Sequence, residues 1–177
     1  MTEEQDMYDP TVFDNLKVAF ENHVYDLDMI DRKIEITNRI DRMDFAIMKR
    51  EFAITFALSG EHGVTAEIGL EASLRELAAE ILEFPDETPG CQLTLRFHKR
   101  LTNVEDQCRR IHSILNSIWE DEHEIHQIVS FFFGKEMEPY IDTIEIKFNR
   151  KITEEQMREI GGFIEHVLKS LEALAKI

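Results

Sequence analysis

Apolar residues recur at three- and four-residue steps through Phe13, Leu16, Phe20, Val24 and Leu27, one stripe on an otherwise acidic segment. This spacing predicts an amphipathic helix, entered at Asp9-Pro10 with Asp9 as N-cap and Pro10 at the first helical position. After Asp31 the period falls to two. Ile34 and Ile36 alternate within Lys33–Thr37, a polar stretch follows from Asn38 to Asp44, and the run from Phe45 to Leu58 alternates on Phe52, Ile54, Phe56 and Leu58. Ser59-Gly60 and Gly63 bracket a turn, and Val64 to Leu70 reads as the next strand of an antiparallel meander. Leu74, Leu77, Ala78, Ile81 and Leu82 return to helical spacing until Pro85, and Pro89-Gly90 turns the chain into a strand at Leu93.

Two later stretches nearly repeat one another, LTLRFHKRLT from Leu93 to Thr102 and IEIKFNRKIT from Ile144 to Thr153, offset by 51 residues. Each reads as alternating apolar residues, a basic pair, an aliphatic residue and a threonine. Thr102 has Glu105 and Thr153 has Gln156 three residues on, the capping-box pattern at a helix start. A shortened copy without the basic pair runs Ala66, Ile68, Leu70, Ser73, Glu76. Each unit is thus strand, turn, helix. The first helix carries Val104, Cys108, Ile111, Ile114, Leu115 and Ile118 and ends near Trp119; the second carries Met157, Ile160, Ile164, Val167, Leu168, Leu171 and Leu174. Between them, Ile125–Phe133 and Ile141–Asn149 are expected strands.

The order predicts an α+β two-layer sandwich: a mostly antiparallel sheet with helices on one face, built from repeated strand-turn-helix units. One domain over 1–177 is expected, with an acidic helix (1–31), a meander and helix (33–90), and a β-α-β-β-α unit (91–177) that is ferredoxin-like.

Charge is uneven. Of 36 acidic and 20 basic residues, positions 1–90 hold 21 and 8, and positions 1–31 hold nine acids against Lys17 alone. A surface this acidic repels nucleic acid and anionic membrane and attracts a basic protein. The opening MTEEQDMYD is acidic where a targeting peptide would be basic, and no apolar run is long enough to span a bilayer, so a cytoplasmic chain is expected. Cys91 and Cys108 are too few for a disulfide scaffold and read as reduced.

The basic turns are the best binding candidates. Arg96, Lys99 and Arg100 stand at the end of one strand, and Lys147, Arg150 and Lys151 at the same place in its twin, each group beside a helix start that would receive an anion. If the twin strands run parallel, both groups share one end of the sheet. His123 and His126, beside Asp121, Glu122 and Glu124, form a weak metal candidate. Phe131, Phe132 and Phe133 alternate across the end of a strand, so both faces need a cover, from within the chain or from a second subunit in a homodimer. No GxSxG, phosphate loop or GxGxxG motif occurs, so no catalytic set or cofactor is implied.

These features favour a non-enzymatic interaction or regulatory module that self-associates and recognises a protein partner or a small anion. An acidic mimic of nucleic acid is the alternative, and a metal-dependent hydrolase built on the His123 region is a further one.

Overall fold

The computed structural model describes residues 11–85, 87–119, 123–134 and 139–177; Asp9-Pro10, Asp121 and Glu122 lie outside the described residues. The acidic segment with its apolar stripe forms α1 (Val12–Met29), capped by Thr11, whose hydroxyl accepts the Asp14 N–H at 3.2 Å. Three strands follow as a meander, β1 (Ile34–Asp44), β2 (Lys49–Leu58) and β3 (Glu61–Ala72), then α2 (Leu74–Ile81). The rest is β4 (Gln92–Leu101), α3 (Val104–Trp119), β5 (Glu124–Ser130), β6 (Tyr140–Lys147), a 3₁₀ turn (Glu154–Glu159) and α4 (Ile160–Leu174).

The six strands form one sheet in the order β1-β2-β3-β4-β6-β5, every neighbouring pair antiparallel. Alternation divides its faces. Phe52, Ile54 and Phe56 of β2, Leu95 and Phe97 of β4, and Ile144 and Ile146 of β6 are buried on one face under α1, α4 and α3, each helix touching the next. Each such side chain removed from water contributes about 1.5–3 kcal/mol. The other face is polar: Arg96 lies between Glu145 at 2.8 Å and Glu67 at 3.2 Å, and Lys49 between Glu51 at 2.6 Å and Glu71 at 3.4 Å. This is an α+β arrangement of a sheet and one helix layer. No helix among the described residues is long and apolar enough to cross a membrane.

Several local expectations shift. The polar stretch Asn38–Asp44 is the second half of β1, because its helix-facing positions meet charges on α1: Arg39 bonds Glu21 at 2.6 Å and Lys17 bonds Asp41 at 3.0 Å. The strand expected from Phe45 starts at Lys49, leaving Phe45 and Ile47 exposed in the turn. Most consequentially, the twin strands β4 and β6 are adjacent and antiparallel, pairing Thr94 with Lys147 and Leu101 with Tyr140. The α3 crossover returns the chain parallel to β4 as β5, and the next connection reverses it, so β6 must run the other way.

A candidate ligand pocket at the second basic turn

Because β4 and β6 run oppositely, the two basic groups occupy opposite ends of the sheet and divide further by face. Arg96 is taken up by its two glutamates on the open face, and Lys99 points inward at 7% exposure, where burial lowers its pKa. Arg100 and Lys147 are exposed. Arg150 and Lys151 line one cavity, and Lys147 lines a smaller one of about 230 Å³ that shares Leu93, Phe148 and Asn149 with it.

The cavity at Arg150 and Lys151 is assembled by the chain leaving β6. Ile152 exchanges backbone hydrogen bonds with Cys91, its N–H donating at 2.9 Å and its carbonyl accepting at 2.8 Å, which ties the turn to the start of β4. Gly90 permits this approach: a Cβ there would lie 2.8 Å from the Ile152 carbonyl oxygen. Glu76 secures the same loop, accepting the Gly90 N–H at 3.1 Å and an ion pair from Lys151. Its carboxylate is thereby diverted from the expected box at Ser73, which makes no side-chain cap. At Thr153 the capping box does form with Gln156, opening the 3₁₀ turn that leads into α4.

The cavity encloses about 470 Å³. Its walls are apolar and largely aromatic: Phe20 from α1, Leu93 from β4, His123 before β5, Phe148 after β6, and Ile160 and Phe163 from α4. Ring centroids lie 5.0 Å apart for His123 and Phe148 and 5.7 Å for Phe148 and Phe163, both edge-on, the favourable arrangement for aromatic pairs. Behind them Trp119 packs on Phe148 at 5.9 Å and Phe163 at 5.6 Å, its indole N–H donating to Ser170 Oγ at 2.9 Å. The rim carries Asn149, Arg150, Lys151, Gln156 and Glu159. Arg150 is exposed and has no hydrogen bond or ion pair among the described residues. Lys151 is neutralised by Glu76, leaving the Arg150 guanidinium and the Glu159 carboxylate among the lining residues.

The other candidates are placed apart. His123 is a wall residue here, whereas His126 sits on the open face of β5 beside Glu124 at 3.3 Å, so the two imidazoles do not converge. Among the described residues no group of three His, Cys, Asp or Glu could hold a metal ion. β5 stops at Ser130, and Phe131, Phe132 and Phe133 lie beyond it at 64%, 64% and 97% exposure, so the strand covered on both faces within one chain is not what forms. On the acidic helix α1, Asp14 holds Arg50 at 3.0 Å and Glu21 holds Arg39, while Asp28 makes no ion pair among the described residues.

Sequence reasoning found Arg150, Lys151 and His123 but missed the aromatic walls. Phe148 was visible, since it continues the alternation of Ile144 and Ile146 one step past β6. Neither a family model, nor a curated protein, nor a solved structure matches this chain.

Proposed function

We propose that this protein is a ligand-binding regulatory module whose cavity takes a small molecule with a flat apolar body and a single anionic group. The observation that carries the reading is the Arg150 guanidinium, without a partner among the described residues, lining a cavity walled by Phe20, Phe148 and Phe163. Ligand sites typically combine such apolar walls with a few polar groups that fix orientation. Aromatic walls select a planar body, and a guanidinium presents a forked set of donors to a carboxylate. With Lys151 already neutralised and Glu159 nearby, the rim favours a monoanion over a polyphosphate. Self-association through the Phe131–Phe133 segment belongs to the same proposal and is independent of the cavity.

The test is thermal stabilisation by a panel of aromatic monocarboxylates, aliphatic monocarboxylates and nucleoside triphosphates. Aromatic monocarboxylates are expected to raise the melting temperature, with the gain lost in Arg150→Ala while the unliganded melting temperature is unchanged. Indifference to every aromatic monoanion overturns the reading.

A further inference from the structure

The sheet has two edges, and the chain treats them differently. β1 carries Glu35, Arg39, Asp41, Arg42 and Asp44, and its register breaks at a bulge between Ile36 and Asn38. Charges and bulges are the devices that keep an exposed strand edge from pairing with another chain. β5 has neither a bulge nor, after Glu124, any charge. From Ile125 to Gly134 ten consecutive residues lack Asp, Glu, Lys and Arg, in a chain that is 32% charged. Ile128 stands near the middle of this edge strand at 67% exposure, and Phe131 and Phe133 follow it at 64% and 97%. An uncharged, partly apolar edge of this kind is the surface on which a further strand adds.

We infer that the added strand is β5 of a second copy of this chain, paired antiparallel about a two-fold axis near Gln127; this deepens the self-association proposed above. Two arguments select a copy over another partner. At a net charge of −16, two copies repel wherever acidic surface meets, and the β5 edge from Ile125 to Ser130 is a stretch along which their backbones can approach with no carboxylate of its own. The strand is also self-complementary. Centred on Gln127, antiparallel pairing sets Ile125 opposite Val129, His126 opposite Ile128 and Glu124 opposite Ser130, so neither glutamate faces its own copy. Opposed residues in a pair lie on the same face, so the six-stranded sheet doubles into one continuous sheet with both helix layers on the same side. The Phe131–Phe133 segments then extend past the paired strands onto the other copy.

The test is mass in solution by light scattering, combined with amide hydrogen exchange, for the full chain, Ile128→Glu and Phe131→Ser/Phe133→Ser. Ile128 is exposed, so its replacement leaves the fold intact, which circular dichroism checks. The full chain is expected at twice its 20.8 kDa mass with slow exchange along β5. Ile128→Glu, which sets a carboxylate near its own copy, is expected to weaken the dimer by more than about tenfold and to speed β5 exchange. A monomeric full chain overturns both this inference and self-association itself. A dimer indifferent to Ile128→Glu but broken by the double serine variant overturns the edge pairing alone and leaves association through the phenylalanines standing. Neither result touches the cavity, whose ligand test is read on Arg150.

Discussion

Lys99 and Asp142 are opposite one another on β4 and β6, both facing the helices, and no ion pair joins them. Asp142 is fully buried; its Oδ1 has no hydrogen-bond partner, and its Oδ2 has the Cys108 thiol at 3.9 Å. Gln127, with an equally unpartnered Oε1, lies nearby on β5 and donates its amide to the Cys108 carbonyl at 3.1 Å. Removal from water pushes the Asp142 carboxyl up to about 6. Burial lowers Lys99 and raises Cys108, the latter aided by the Asp142 charge. Each shift favours the neutral form in an apolar interior.

Stability should therefore fall with rising pH over the range where Asp142 ionises. The carboxyl holds its proton more tightly in the folded chain, near 6, than unfolded, near 3.9. Its protonated form stabilises the fold below about pH 4, and the advantage is lost as pH rises to about 6, amounting to about 2–3 kcal/mol in all. Other carboxylates titrate too, so the measurement is the difference in urea unfolding free energy between the native chain and Asp142→Asn. That difference should change by this amount between pH 4 and pH 7, and a constant difference would show that Asp142 titrates normally.

Lys99 allows a complementary test. Its ammonium makes none of the ion pairs among the described residues, while its stem fills space beside Val64 and Asp142. Methionine retains most of the stem and removes the charge, so Lys99→Met should leave stability unchanged or raise it by up to about 1 kcal/mol. A loss above about 3 kcal/mol would reveal a buried pair with Asp142, since breaking such a pair strands a charge.

The cavity loop depends on one missing side chain. A methyl at Gly90 would lie 2.8 Å from the Ile152 carbonyl oxygen, which as backbone cannot step aside, and 3.2 Å from Thr153 Cγ2 and 3.3 Å from Lys151 Cβ. Gly90→Ala should cost about 1–3 kcal/mol and weaken ligand stabilisation with it. Gly63, where a Cβ meets nothing within 4 Å, is the control: its alanine variant should be neutral or slightly stabilising. Equal melting temperatures for the two variants would mean that the Cys91–Ile152 bridge does not hold the loop.

What could be read beforehand follows from the range of each interaction. Apolar alternation in β4 and β6 and the Thr153–Gln156 box rest on neighbours in sequence, and they appear as expected. At the first twin, Asn103 caps α3 through the Asp106 N–H, and Gln107 reaches back to the N–H groups of Thr102 and Asn103. Glu105, the expected partner, instead pairs with Arg109 at 2.7 Å. The pattern located the helix start to within a residue but could not rank rival side chains. Strand direction was the larger error: likeness between two segments says how each is built, while the connection between them decides whether they run together. Asp142 was legible and overlooked, because it shares the parity of Ile144 and Ile146 and so had to point inward.

The chain's single tryptophan offers a direct reading of the cavity. Trp119 is 8% exposed and packs against Phe148 and Phe163, two of the cavity walls, while its N–H is held by Ser170, whose hydroxyl donates to the His166 carbonyl at 2.8 Å. A ligand between the walls should shift or quench tryptophan emission, saturating at the concentration that raises the melting temperature. Ser170→Ala removes the acceptor and leaves a buried N–H without a partner, at a cost of about 1–3 kcal/mol. Emission should respond to that change without ligand, because the indole loses its anchor. Arg150→Ala should leave unliganded emission untouched and abolish only the ligand-induced change. An Arg150→Ala protein whose emission still responds to the same carboxylates would place their binding elsewhere.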